Sequence, residues 1–251
     1  FNIWKWIFFK AHYLNIDTGE KIIAPVLRSK GINKLDLVIV THFDLDHVGG
    51  IPYLLDTLPI GSVIDNGSKR NKFPNYMNTL QKNKIPLITA KAGMTISIEK
   101  DLTLQIIHPF PSLPLHSDEN ENSIVFILSY KEIDFLFSGD LESEGESLLT
   151  RTHPKELDVE ILKLGHHGSK TSSIPEWIHH TSPQLAIVSA GKNNRYHHPA
   201  PSVISRLKEA KIPVPINLSQ ATTVKPIAVI ESKEAPPKTR SYVGTSAKQL
   251  T

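Results

Sequence analysis

The chain has 251 residues, 39% hydrophobic and 21% charged, with no cysteine and a formal net charge of +3. That length suits one large α/β domain or two small ones, and the composition is that of an ordinary soluble globular protein. Disulfides and thiolate ligands are excluded, so any metal site must use His, Asp, Glu or backbone groups. A pI near 8.9 is compatible with a polyanionic partner.

In chain order, the apolar opening Phe1-Asn2-Ile3-Trp4-Lys5-Trp6-Ile7-Phe8-Phe9 falls well short of the ~20 residues that cross a bilayer. It lacks the basic start and cleavage site of a leader. It reads as an edge or first core strand, or as the tail of a preceding membrane segment, and a start at Phe suggests an excised domain. A strand is expected at 13–17, a helix at 22–30 and a strand at 35–41. Helices at 49–58 and 75–84 alternate with strands at 62–65 and 86–90. Residues 94–107 alternate as a hairpin, 108–122 read as a Pro-rich, acidic loop, and 124–138 as a second hairpin. A helix at 142–151, a strand at 159–164, a helix at 175–180, a strand at 185–189 and a helix at 199–210 follow. Strands near 213–218 and 225–231 finish a single α/β domain with mixed sheets over residues 1–232, and 233–251 read as a flexible tail.

Chemistry concentrates at three strand ends. The apolar run Leu37 to Val40 stops at His42, Asp44, Asp46 and His47, followed by Gly49-Gly50. Crowding carboxylates without a positive charge is costly, and a divalent cation offsets that cost; the alternative is a solvated polar turn. Asp140 follows the second hairpin, and His166-His167 sit between two glycines after the strand at 159–164. Ends of neighbouring strands converge on one rim of a sheet, where open α/β folds bind ligands.

Thr41-His42-Phe43-Asp44-Leu45-Asp46-His47-Val48-Gly49-Gly50, Phe137-Ser138-Gly139-Asp140 and Leu164-Gly165-His166-His167-Gly168-Ser169 resemble the motifs of the metallo-β-lactamase fold. Asp44 in place of the family's second His, residues 162–172 and the stretch 189–199 resemble, more narrowly, the C-terminal domain of the ComEC-type competence proteins that form DNA-uptake channels. The resemblance covers roughly residues 14–212. It implies an αββα sandwich of two mixed β-sheets flanked by helices, and a two-metal centre. His42 and Asp44 would bind the first ion, Asp46 and His47 the second, with Asp140 bridging and His167 completing the second site. His166 would support a ligand from behind or face substrate, with the choice of ligand within the His pair left open. Asp17 would hydrogen-bond the ligand loop. The family's intermediate His motif falls at 116–122, where His116, Asp118 and Asn122 are candidates. The family's first and last strand motifs are not recognisable here.

A paired divalent site activates water and stabilises charge on the scissile group and the leaving oxygen. Asp44 makes the donor set harder, which suits Mn²⁺ as well as Zn²⁺. Asp46, Asp140 and His166 are the expected catalytic groups. Ser169, Asn194, Tyr196 and His198 are the expected substrate-binding groups, donors suited to a phosphate. The resulting expectation is a metal-dependent nuclease acting on DNA, single-stranded or duplex, that degrades the strand not imported during transformation. It would work on the extracytoplasmic face of the membrane beside the channel portion of the same protein, this chain itself being soluble. A small-molecule hydrolase of the same fold and a weakened DNA-binding domain are the alternatives.

Overall fold

Alternation of apolar side chains sorts the chain into two sheets with helices on their outer faces. A computed structural model describes residues 17–191 and 194–214, and the backbone of 216–219. The apolar opening, nearly all of the strand expected at 13–17, the one at 225–231 and the tail lie outside the described residues.

The smaller sheet holds β1 (Leu35–Val40), β2 (Ile60–Asp65) and β3 (Leu87–Thr89), parallel throughout and in that order. Parallel strands need cover on both faces. In β1, Val38 and Val40 pack with helices α1 (Ala24–Ser29), α3 (Ile51–Thr57) and α4 (Pro74–Lys82), while Ile39 points the other way. The larger sheet is mixed. Its order places β4 (Thr95–Glu99), β5 (Leu102–His108), β6 (Val125–Tyr130) and β7 (Ile133–Phe137) as an antiparallel run. Then β8 (Ile161–Lys163), β9 (Leu185–Gly191) and β10 (Ile216–Ser219) continue in parallel from β7.

Between the sheets, Ile39, Ile64 and Ala90 meet Leu104, Ile106, Ile124, Phe126 and Leu128. Each buried Ile or Leu there contributes about 1.5–3 kcal/mol relative to exposure. The outer face of the larger sheet presents Val125, Leu136, Leu162 and Val188 to α5 (Ser143–Thr152), α6 (Pro175–Thr181) and α7 (Pro201–Glu209), whose Leu149, Trp177, Val203 and Leu207 are fully buried. The layers therefore run helix, sheet, sheet, helix, as the resemblance implied. Prolines mark several helix starts: α1, α3, α4, α6 and α7 each carry one in the first turn, where the missing N–H is no loss.

One boundary differs from the sequence reading. The stretch after β1 is not a loop leading to one helix from residue 49. A single helical turn, α2 (Leu45–Val48), forms first, because the N–H groups of His47 and Val48 both donate to the Asp44 carbonyl at 2.9 Å. Pro52, which has no N–H to give, then opens α3.

Glu146 of α5 is fully buried, and its carboxylate accepts the N–H groups of Ser173 at 2.7 Å and Ile174 at 2.9 Å. Burial pushes this carboxyl up from 4.5 to about 8, against the pull of those two hydrogen bonds. A raised folded value means that its contribution to stability is complete below the unfolded value and is lost as pH climbs through about 8. Denaturant unfolding at about pH 5 and about pH 9 is therefore expected to show a smaller difference for Glu146→Gln than for the parent chain. An identical difference in both would remove Glu146 as its source.

Candidate metal centre

Three strand ends deliver the charged groups. Beyond β1, α2 raises Asp46 and His47; beyond β7, Gly139 turns the chain into Asp140; beyond β8, the Gly165–Gly168 turn carries His166 and His167. Gly139 has φ +56°, and a Cβ there would stand 2.8 Å from the Ser123 Cβ and 3.1 Å from the Thr41 Cβ, so only glycine fits. His166 and His167 both adopt left-handed backbone (φ 42° and 56°), at a cost of order 1 kcal/mol each. The two rings stand 6.2 Å apart at 73°, and their Nε2 atoms lie 3.9 and 3.2 Å from the same Asp140 oxygen.

Ligand atoms of Asp46, His47, Asp140 and His167 all lie within 4.8 Å of one another. His47 Nε2 is 3.3 Å and His167 Nε2 3.2 Å from the same Asp140 oxygen, while Asp46 Oδ2 is 3.5 Å from His47 Nε2. His167 donates its Nδ1–H to the Ser189 carbonyl at 2.8 Å, which leaves the Nε2 lone pair directed at the cluster. Burial pushes the Asp140 carboxyl up, but the His47 and His167 imidazoles beside it outweigh burial and hold Asp140 well below the usual carboxylate range.

His42 is completely buried and stacks beside His47, ring centroids 4.1 Å apart. Its Nδ1 faces the hydroxyls of Thr41 at 3.1 Å and Ser123 at 3.4 Å, and its Nε2 has no hydrogen-bond partner. Burial, with His47 next to it, depresses this imidazole to about 3. A neutral, buried imidazole with one unshared nitrogen, beside a set of two His and two Asp, fits a divalent cation. Asp44 stands at the edge, half exposed, with Oδ2 4.0 Å from His42 Nε2, and burial followed by Asp46 raises its carboxyl. Of the pair expected for a first ion, His42 is thus as enclosed as the four-residue cluster beside it, and Asp44 is more open.

Of the His pair, His167 enters the cluster. His166 keeps its Nε2 3.9 Å from Asp140 and places its Nδ1 2.6 Å from Glu142. Glu142 also accepts the Thr171 hydroxyl at 2.7 Å, which ties the turn after His167 to the end of β7. The sequence reading passed over Glu142; its signal was a second carboxylate two positions after Asp140.

The intermediate motif is corrected. His116 faces Glu144 at 3.0 Å, Asp118 accepts the Asn120 N–H, and the Asn122 amide is spent on the backbone of His116 and Asp118. Ser123 instead stands at the cluster, its Oγ accepting the Asp140 N–H at 3.0 Å. Asp17 is likewise engaged within its own turn, accepting the Glu20 N–H at 3.1 Å. What binds that turn to the ligand stretch is close backbone approach: a Cβ on Gly19 would lie 2.0 Å from the Gly50 carbonyl oxygen.

Another brace was missed. Glu119, almost fully buried, accepts the Phe43 N–H at 3.0 Å, the Asn66 amide at 3.1 Å and the Ser68 hydroxyl, and pairs with Lys69 at 3.2 Å. Burial raises its carboxyl, but these partners prevail and hold it below the ordinary value.

The cluster opens into a cleft of about 510 Å³ lined by Asp44, Asp46, Asp140, Glu142, His166, Ser169, Lys170, Tyr196 and His198, among others. A larger cavity of about 660 Å³, lined by Arg70, Phe110, Leu113 and Arg151 among others, contains none of the four clustered residues and is not where this chemistry sits. Ser169 shares its hydroxyl with Thr171 at 2.7 Å on the cleft wall. Asn194 is not available to substrate as expected: its amide donates to the Gly191 and His198 carbonyls and accepts the His198 N–H, so it shapes the loop.

The chain is similar to ComE operon protein 3 of Bacillus subtilis (strain 168), 36% identical over 198 residues, which cover 78% of this chain and 25% of that protein. It is 31% identical to Recombination protein 2 of Haemophilus influenzae over 197 residues (77% and 22%) and 27% identical to Competence protein ComA of Neisseria gonorrhoeae over 201 residues (78% and 26%). It spans about a quarter of the length of these curated relatives. Their names agree with the resemblance to competence proteins. Among the described residues no helix is long and apolar enough to cross a membrane. Residues 16–192 match the metallo-beta-lactamase superfamily model, and with the layered fold and the His/Asp cluster at its sheet ends the chain belongs to that superfamily.

Proposed function

We propose that this chain is a metal-dependent phosphodiesterase domain acting on DNA, which degrades the strand not imported during competence uptake. The observation that carries this reading is the Asp46, His47, Asp140 and His167 cluster at the floor of a polar cleft walled by Lys170, Tyr196 and His198. Asp46, His47, Asp140 and His167 would hold one divalent ion, and His42 and Asp44 would help to hold a second, Mn²⁺ or Zn²⁺. Bound there, the ions supply Lewis acidity towards the scissile phosphate.

The chain's own groups do the rest. Lys170 neutralises the incoming phosphate. The contact between His166 Nδ1 and Glu142 holds His166 Nε2 on the Asp140 side of the cleft, in reach of the leaving oxygen. Asp46 and Asp140 keep the floor anionic, so DNA enters productively only when cations occupy it. The membrane channel portion of the same protein is the neighbour in this reading, on the extracytoplasmic face. Relatives named for competence support it.

The test is purified protein with linear DNA and Mn²⁺ or Zn²⁺, together with elemental analysis. Expected are cleavage that a chelator abolishes and close to two ions per chain. Ion content without cleavage of DNA, accompanied by turnover of ester or lactam substrates, would turn the assignment to a small-molecule hydrolase.

A further inference from the structure

Beyond the acidic floor, four side chains form a ladder of flat groups along the cleft. The His166 and His198 rings lie 5.6 Å apart at 65°. Next, His198 and Tyr196 are stacked, centroids 5.6 Å apart with only 16° between their planes. Last, the Arg195 guanidinium lies over the Tyr196 ring at 4.5 Å, and it donates to the Tyr196 hydroxyl. Tyr196 remains 48% exposed despite these contacts. The loop that carries them is held by Asn194, whose amide bridges the backbone of Gly191 and His198.

Phosphate recognition alone requires cations and N–H donors, not parallel rings. Stacked aromatic faces with a guanidinium beside them suit the π-face of a base, in any sequence. In a duplex each base face is already covered by its neighbours, so only an unpaired base offers one. The ladder also ends at the chemistry, since His166 Nε2 is 3.9 Å from Asp140.

We propose that the Arg195–Tyr196–His198 stack is a platform for an unpaired nucleobase, which makes single-stranded DNA the substrate in preference to duplex. This rests on the phosphodiesterase reading above and narrows it. A base seated on the stack brings its flanking phosphate over the Asp46 and Asp140 floor.

Binding is measured with the unsubstituted full chain and Ca²⁺, which neutralises the floor but is a weak Lewis acid for turnover, against three probes: a single-stranded oligodeoxynucleotide, its duplex, and an abasic strand of equal phosphate count. Expected is tighter binding of the normal single strand than of either other probe. Tyr196→Ala then loses on the order of tenfold for the normal strand and leaves the abasic strand unchanged. Tyr196→Phe, which keeps the ring, binds like the parent. Equal affinity for single strand and duplex, or an equal loss by Tyr196→Ala on normal and abasic strands, overturns the platform and leaves the nuclease reading standing. No binding to any probe, with no cleavage by the unsubstituted chain, overturns both.

Discussion

Replacing Asp140 by Ala lowers retained divalent metal and DNA cleavage together, the latter by roughly 10²–10³-fold. Asp140 is almost fully buried, and one of its oxygens lies 3.3 Å from His47 Nε2 and 3.2 Å from His167 Nε2. Among the described residues no other carboxylate reaches both imidazoles so closely; Asp46 is 3.5 Å from the first and 3.8 Å from the second. Removing an outer hydrogen-bond partner of a metal site costs about 10–100-fold, and removing the shared ligand itself costs more. Elemental analysis and a cleavage rate on linear DNA read the two effects side by side. Full metal content with normal cleavage in the variant would remove Asp140 from the centre.

The largest effect on stability is expected at Glu119, which braces the backbone between His42 and Asp44. Glu119→Ala leaves the Phe43 N–H, the Asn66 amide, the Ser68 hydroxyl and the Lys69 ammonium without their common acceptor in a buried place. Lys69, about a third exposed, can turn to water, but each buried donor left without an acceptor costs about 1–3 kcal/mol. For a chain of this size that lowers Tm by on the order of 10 °C. The pH dependence has a definite sign. A carboxyl held below its ordinary value gives stability above the unfolded value of 4.5 and loses it as pH falls through the folded one. The parent should therefore lose more stability than the variant on acidification below about pH 4.5. A thermal melt within about 2 °C of the parent would show that the partners find other acceptors.

Much of this molecule was legible because its signals are local. Leu37 to Val40 ending in His and Asp, Gly139-Asp140, and the His pair between glycines each mark a strand end within a few residues, and the structure puts all three on one rim. Prolines 25, 52, 74, 175 and 201 stand in the first turns of five helices, a local signal of the same kind. The acidic run at 118–121 was not legible. Charged residues there imply a solvated loop, yet Glu119 and Glu121 are buried. Their donors come from afar: Phe43 for the first, and the Glu144 and Gly145 N–H groups at the start of α5 for the second. No spacing within the run could show that. Asn194 misled in the opposite way. A donor-rich segment looked aimed at phosphate, whereas its amide is consumed four residues on by His198.

The four clustered side chains do not belong to one sheet. Asp46 and His47 hang from the three-stranded sheet, and Asp140 and His167 from the seven-stranded one. An ion held by all four would therefore cross-link halves whose strands pair separately. Ion affinity and resistance to melting become a single quantity: at a hundred times Kd, occupancy adds about 2.7 kcal/mol to folding. With such an ion bound, the domain would resist melting more where the cation is plentiful than where it is scarce.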